Sequence, residues 1–360
     1  MQIVYDHFGT VGENMAEKFN EVDNERLRDP LDYMKNEVKN SFVFSPTSTF
    51  EIHTLIDKLN NKKSSGYDLI SNSILRETKD IIAPYLNVLF NKCISQGIFP
   101  DSFKTAQVIP LFKGGDKEDP NPYRPIPLLL SIGELFDKLI SKRIINFFNK
   151  YEIFSSHQFG FRSNFATEYP VIDIHEKLVK NLDEGLSSCA IFLDLAKAFD
   201  SVDHSILIRK LKHYGIRGLP LQLLRSYLSD RNQFVKLNDA NSSLIDILFG
   251  VPQGSILGPL LFLIFINDLP EATNLYVKLF ADDMFLCAQD TNLESLENYV
   301  NIELDKVFVW LASNKLTLNV KKSKYMIVSR KKSIPDLCIQ INGCHLDQCD
   351  SYKYLGIYID

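Results

Sequence analysis

Three aspartates at two places in this chain have the residue type and spacing for chemistry on phosphate. Asp194 closes the apolar run Ala190-Ile191-Phe192-Leu193, and the pair Asp282-Asp283 separates two further apolar runs, 277–281 and 284–288. Phosphodiester synthesis uses two hard cations about 3.5–4 Å apart, one lowering the pKa of an attacking 3′-hydroxyl and one holding a triphosphate. Oxygen ligands suit Mg²⁺, with Mn²⁺ as a substitute, and carboxylates from different strands can converge on such a pair. Val251-Pro252-Gln253-Gly254 lies between the two acidic places. Each signal alone has a plainer reading. Asp-Asp between strands is commonly a turn, Asp194 can cap a helix, and Val-Pro-Gln-Gly turns the chain. Taken in this order and spacing, they point to template-directed nucleotidyl transfer.

The elements that would position these groups follow from pattern. Residues 189–193 read as a buried strand, and 277–281 with 284–288 as a hairpin whose tip is Asp282-Asp283. Further strands are expected at 106–112, 316–318, 325–329 and 354–359, and a hairpin over 234–249. A helix opens at Ser48, with Glu51 completing a capping box and Ile52, Leu55, Ile56 and Leu59 on one face. A helical stretch over 70–95 is expected to kink or divide at Pro84. Helices are also expected at 132–151, 205–214, 219–227 and 255–267, with a weak one around 12–19. Another is capped by Thr291 with Glu294, and buries Leu293, Leu296, Val300, Leu304, Val307 and Leu311. Pro120, Pro122, Pro125 and Pro127 force an extended path. The class is α+β, with an antiparallel sheet carrying the acids.

Composition narrows the function further. A net charge of −5 excludes a simple basic nucleic-acid coat. Basic residues nevertheless cluster: Arg209, Lys210, Lys212, Arg217 and Arg225 fall in a stretch without acids, as do Lys321, Lys322, Lys324, Arg330, Lys331 and Lys332. Beside a polymerase site such runs suit phosphate contact, and elsewhere they are solvated faces. The six cysteines show no zinc spacing; Cys189 and Cys287 sit in apolar runs as small core residues, and reduced thiols in an intracellular protein are expected. The apolar stretch 256–266 is short and broken by Gly258 and Pro259, so no membrane partner is expected.

Beyond these patterns, the chain from about residue 58 to 360 resembles the reverse transcriptases of non-LTR (LINE-type) retrotransposons, particularly jockey-like ones. The resemblance rests on Ser65-Gly66-Tyr67-Asp68, Gly97-Ile98-Phe99-Pro100, Val108-Ile109-Pro110-Leu111-Phe112-Lys113 and Tyr123-Arg124-Pro125-Ile126. It continues through Gln158-Phe159-Gly160-Phe161-Arg162, Phe192-Leu193-Asp194-Leu195 with Lys197-Ala198-Phe199-Asp200, and Gly250-Val251-Pro252-Gln253-Gly254-Ser255 with Leu257-Gly258-Pro259. Ile266-Asn267-Asp268-Leu269-Pro270, Phe280-Ala281-Asp282-Asp283, Trp310 with Asn314-Lys315-Leu316, and Tyr354-Leu355-Gly356-Ile357 complete it.

The resemblance implies a right-hand polymerase with fingers and palm, its antiparallel palm sheet flanked by helices. It further implies an enzyme that extends a DNA primer 3′ end along an RNA template with dNTPs and holds the RNA–DNA hybrid. Asp194, Asp282 and Asp283 would be the catalytic residues and the ligands of two Mg²⁺ ions, Asp282 more directly than Asp283. Phe199 matches a gate against the ribose 2′-hydroxyl, its alternative being a core aromatic. Gln253 and Gly254 match the loop beside template and incoming nucleotide, or simply turn the chain. Lys113, Arg124 and Arg162 match basic fingers positions that touch the triphosphate, or are ordinary surface cations. Lys322 matches a lysine serving the leaving pyrophosphate. Tyr354, Leu355 and Gly356 match the strand gripping the primer end, though a buried hairpin looks the same. Residues 1–46 are expected to be a linker, 47–100 the helical N-terminal part of the fingers, and 101–360 the reverse transcriptase domain. Work in nucleus and cytoplasm is expected from the family.

Departures are Pro122 before Tyr123, Pro127 for a serine, Ala196 for a serine, Met284 for a threonine, Ala166-Thr167 for Ser-Thr, and Pro170 where a helix former is expected. No endonuclease is seen before residue 46, and the chain stops just after the primer-grip motif, so the thumb is expected to be missing. The rival expectation is a truncated, catalytically inactive retrotransposon remnant with at most weak nucleic-acid binding. Kinship with group II intron maturases is the third.

Overall fold

The fold is seen in a computed structural model that describes residues 24–35, 37–61, 64–114, 123–162, 165–237 and 240–360. The helix expected around 12–19 and the turn residues 115–122 lie outside these. In chain order the elements are α1 (Thr49–Asp57), α2 (Asn72–Glu77), α3 (Lys79–Gln96), β1 (Thr105–Phe112), β2 (Tyr123–Leu128), α4 (Ser131–Lys150), α5 (Glu168–Asp183), β3 (Ser187–Asp194), α6 (His204–His213) and α7 (Leu219–Leu228). There follow β4 (Arg231–Leu237), β5 (Ala240–Asn241), β6 (Ile245–Ile247), α8 (Leu257–Phe265), β7 (Tyr276–Phe280), β8 (Asp283–Asp290), α9 (Leu293–Ser313), β9 (Lys324–Val328), β10 (Gln340–Ile341), β11 (Cys344–His345), β12 (Asp347–Gln348), β13 (Tyr352–Tyr354) and β14 (Ile357–Ile359). The α+β class is as expected. Among the described residues the chain forms two units, one from Glu37–Ile153 and Phe199–Leu261, the other from 24–35, Phe154–Ala198 and Phe262–Asp360.

The first unit holds a sheet in the order β2-β1-β4-β5, with β6 also on β4. β1 pairs antiparallel with β2 and parallel with β4. Proline lacks the N–H a central strand needs, and β2, with Pro125 and Pro127, lies at the edge of this sheet. Phe90 and Phe99 stack on Phe136, and Tyr227 meets Phe99 edge-on at 4.9 Å. Ser48 caps α1, accepting from the Glu51 N–H. The Glu51 carboxylate does not close the capping box; it is held by Arg143 at 2.9 Å.

Pro84 does not divide the second helical stretch. The break comes at Thr78, whose N–H and hydroxyl both bond to Ile74 O and end α2. α3 then runs through Pro84 to Gly97 at φ +66, because one missing bond near the start costs less than the packing of Ala83, Leu86, Phe90 and Cys93 restores. The first basic run is not a continuous phosphate surface. Lys210 is fully buried and Arg217 is bound to Glu37, Ser41 and Val38 O.

The second unit is built on a sheet ordered β12-β9-β3-β8-β7. Its pairings are antiparallel as expected, except that the outer pair β12–β9 is parallel. β3 is buried on both faces. α5 and the β13–β14 hairpin cover Ala190, Phe192, Phe285 and Cys287, while α9 packs against β3 and β8. Pro170 sits in the first turn of α5, where its missing N–H has no helical partner to lose.

Three expectations are corrected here. Asn292, not Thr291, caps α9, accepting from Glu294 N and Ser295 N; the inward positions of α9 are buried as the spacing predicts. Residues 316–318 form only a bridge, Leu195 to Leu318. The run 354–359 is not one strand but the end of a hairpin, with Leu355 at φ +48 and Gly356 at φ +90 in its turn. Two central residues at positive φ match the twist of paired strands.

Half of the second basic run is likewise spent inside this unit: Lys324 pairs with Asp347, Arg330 with Asp183, and Lys331 with Thr291 O. α9 also supplies a buried acid, Glu303. Burial alone pushes this carboxyl up, but Lys306, the Asn274 N–H, Thr273 and the Asn274 side chain overcome it and hold it at about 2. A depressed acid contributes stability that is full above its unfolded value of 4.5 and is lost as the pH falls through about 2. Glu303→Gln is therefore expected to lower stability at neutral pH and to flatten the acid limb of a urea-midpoint profile. An unchanged acid limb would show that Glu303 is not so held.

Candidate active site

Asp194 is the last residue of β3, and it pairs in register with Asp283, the first residue of β8. β7 and β8 are joined so tightly that Phe280 faces Asp283, which leaves Ala281 and Asp282 as the tip. The apolar runs bury the strands and put all three carboxylates at one end of the sheet, because a strand's polar terminus is where the buried face stops. Ala281 sits at φ +55, a conformation that costs an L residue energy and persists only where neighbours enforce it.

Those neighbours are Gln158, Phe159 and Gly160. Gln158 Oε1 accepts from Ala281 N at 3.1 Å and from Gly160 N at 2.9 Å, while Phe159 N donates to Leu279 O. A side chain at Gly160 would lie 2.9 Å from the Phe280 carbonyl carbon and closer still to Ala281 N. Only glycine lets this segment lie against the hairpin tip. The motif around Gln158 is visible in the sequence, yet only Arg162 stands out there as a candidate. The signal that could have found Gln158 and Gly160 is an amide and a glycine two residues apart between apolar neighbours.

Residues 317–323 close on the end of β3. Ala196 N bonds to Thr317 O, Asn319 N to Asp194 O, and Asp194 N to Ser323 Oγ. This brings Lys322 Nζ to 3.8 Å from Asp194 Oδ2 with its side chain largely in solvent. Burial and then the Asp194 charge raise the Asp282 carboxyl above the usual range. Burial, Asp282 and Asp194 together push Asp283 up to about 6, even though the residue itself is open to solvent on one side. Crowded carboxylates prefer a proton or a cation to one another.

Among the described residues no group of three or more His, Cys, Asp or Glu side chains is already gathered closely enough to hold a metal ion. The donor set fits a divalent cation all the same: three carboxylates, only hard oxygens, and mutual repulsion that a cation relieves.

The remaining expected residues fall as follows. Tyr354 is buried against Phe192 and Phe285, and burial followed by the Asp283 charge pushes its phenol up. Its hydroxyl finds no partner among the described residues. Leu355 and Gly356 form the turn beyond it. Arg162 belongs to the same unit, but its Nη1 donates to Ser155 O and Gln158 O and its guanidinium lies over Phe154 and Phe165.

Phe199, Gln253, Gly254, Lys113 and Arg124 belong to the other unit. Lys113 and Arg124 are exposed at one end of the β1–β2 hairpin, where Arg124 faces Leu111. Gly254 is exposed at φ +77, with Pro127 O 3.0 Å from where a side chain would begin. Phe199 is half-buried, and Val251 N donates to its carbonyl. Gln253 Nε2 donates to Asp200 Oδ1 at 2.6 Å.

A strand-end aspartate thus stands in register against a hairpin carrying two more. The profile of the family described as reverse transcriptase (RNA-dependent DNA polymerase) matches residues 115–359. The chain belongs to that family. It is 31% identical over 352 residues to a probable RNA-directed DNA polymerase from transposon BS of Drosophila melanogaster, covering 93% of this chain and 38% of that protein. It is also similar to the RNA-directed DNA polymerases from mobile element jockey of Drosophila melanogaster (29% identity, 91% of this chain, 37% of the relative) and Drosophila funebris (30%, 88%, 35%). The resemblance to jockey-like reverse transcriptases is thus borne out. The chain spans less than two fifths of the length of these relatives.

Proposed function

We propose that this chain is an RNA-directed DNA polymerase of a non-LTR retrotransposon, extending a primer 3′ end with dNTPs along an RNA template. The observation that carries the reading is Asp194 in register with Asp283 beside Asp282 at the hairpin tip, in a chain of this family. In this reading the second unit's sheet belongs to the palm, and residues 47–100 to the helical part of the fingers. Asp194, Asp282 and Asp283 would hold two divalent cations, Mg²⁺ or Mn²⁺, whose chemistry is to acidify the primer hydroxyl and neutralise the triphosphate.

The chain's own residues do the rest. Lys322 sets a positive charge beside the carboxylates, where it balances phosphate charge and can give a proton to departing pyrophosphate. Lys113 and Arg124 present exposed cations to a triphosphate, whereas Arg162, with Nη1 committed to carbonyls, acts first as a brace. Tyr354 and Leu355 pack on β3 and β8 and, with Gly356 in the hairpin turn, support the primer end. RNA template, DNA primer and their hybrid are the partners. No helix among the described residues is long and apolar enough to cross a membrane.

Phe199 excludes the ribose 2′-hydroxyl by bulk. Phe199→Val is expected to raise ribonucleotide relative to deoxynucleotide incorporation by about 10- to 100-fold, as a lost steric contact of this size allows. Competing rNTP and dNTP incorporation measures it, and an unchanged ratio makes Phe199 a core aromatic.

The reading as a whole is tested by primer extension on an oligo(dT)-primed RNA template with Mg²⁺ or Mn²⁺. Extended DNA supports it. No product from protein that unfolds cooperatively overturns it and leaves the inactive remnant.

A further inference from the structure

We infer that Asp200 is a positioning residue that fixes the carboxamide of Gln253 for the incoming nucleotide. The inference rests on the reading above that Gln253 meets that nucleotide, and it adds what holds the amide in place. Asp200 Oδ1 accepts from Gln253 Nε2 at 2.6 Å, in a part-buried setting. An ionised carboxylate offers acceptors only, so it takes the amino end of the carboxamide and settles which end that is. The end left for a ligand is the carbonyl oxygen, which selects a hydrogen-bond donor on the nucleotide.

The backbone around the pair is fastened to make that bond short. Val251 N donates to Phe199 O at 2.7 Å and Gly250 N to Val202 O at 2.8 Å. His204 Nε2 lies 2.6 Å from Gly250 O, and Gly250, at φ +84, has Asp200 Cα 2.7 Å from where a side chain would begin. Asp203 caps α6 by accepting from Ile206 N, so the segment is anchored at a helix start. These backbone bonds leave the torsion of the Gln253 side chain open, and the bond to Asp200 Oδ1 fixes it.

The test is steady-state dNTP incorporation by the whole chain on a primed RNA template, with primer–template affinity measured beside it. A hydrogen bond to a charged group is worth roughly 1.5–3 kcal/mol, so Asp200→Ala is expected to raise KM for dNTP by about 10- to 100-fold. kcat and primer–template Kd should stay within about threefold of wild type, since only the nucleotide-facing group is released. Gln253→Ala is expected to raise KM similarly, and the double variant to be no worse than either single one. Asp200→Asn, which keeps an acceptor oxygen, should recover most of the loss.

If Asp200→Ala does not fold, Gln253→Glu serves in its place. Two carboxylates cannot share the bond, so KM should rise, and adding Asp200→Asn should lower it again. Effects of the two alanine variants that multiply, or an Asp200→Ala enzyme with wild-type KM beside an impaired Gln253→Ala enzyme, overturn the role of Asp200 alone. A Gln253→Ala enzyme with wild-type KM overturns the nucleotide contact of Gln253 and this inference with it. A wild-type chain without any extension overturns the proposed function itself.

Discussion

Asp282→Ala is expected to abolish primer extension, by at least about a thousandfold, while the protein stays as stable as before or becomes more so at neutral pH. The two effects part because the same side chain is favourable in one process and costly in the other. Removing one preorganised charged group from a phosphoryl-transfer site typically costs about 10²–10³ in rate. A lost cation adds several kcal/mol of transition-state charge to that, and each ~1.4 kcal/mol is tenfold. In the folded protein without cation, however, Asp282 is crowded by burial and by Asp194, which raises its carboxyl. Taking it away relieves repulsion and leaves the hairpin backbone in place, since Ala281 is held by Gln158 rather than by Asp282. The measurement is a pair: extension rate and guanidinium midpoint. A variant that loses both together would mean that Asp282 builds the hairpin instead of serving the chemistry.

Gly160→Ala is expected to be the most damaging single methyl group in the second unit. The added carbon would lie 2.9 Å from Phe280 C and 3.1 Å from Ala281 Cα, atoms of backbone that has no rotamer to yield. Overpacking of this kind costs about 1–3 kcal/mol. Replacing glycine elsewhere can gain about 0.4–1 kcal/mol by stiffening the unfolded chain, so the sign of the change is informative. We expect a loss of about 2 kcal/mol or more in denaturant titration, together with lost extension, because the tip that must move carries Asp282. A Gly160→Ala protein of wild-type stability and activity would falsify the buttress as described.

How much could be read before folding differs from residue to residue. The strand ending in Asp194 and the hairpin around Asp282-Asp283 were legible because apolar runs of strand length bounded by acids have few other uses. The inward face of α9 was legible because its period is local. Helix boundaries were less so: Pro84 is a strong breaker by type, yet the break fell at Thr78, where a side chain and a backbone N–H compete for one carbonyl. Asn292 and Thr291 are both good caps, and which one opens α9 depends on how β8 delivers the chain. At 352–359 a strand and a buried hairpin read alike, because Leu355 carries no sign of a residue at positive φ.

The identity of the three carboxylates, their order and the family were determined by sequence, because chemistry resides in residue types and a motif's spacing survives in one dimension. Only the tertiary structure decided that Asp194 stands opposite Asp283, that Gln158 and Gly160 brace Ala281, that Arg162 is occupied as a brace, and that Asp200 holds Gln253. Register, close approach and hydrogen-bond partnership join residues 53 to 123 positions apart, or spend a side chain on a neighbour's carbonyl, and no local pattern encodes which partner wins.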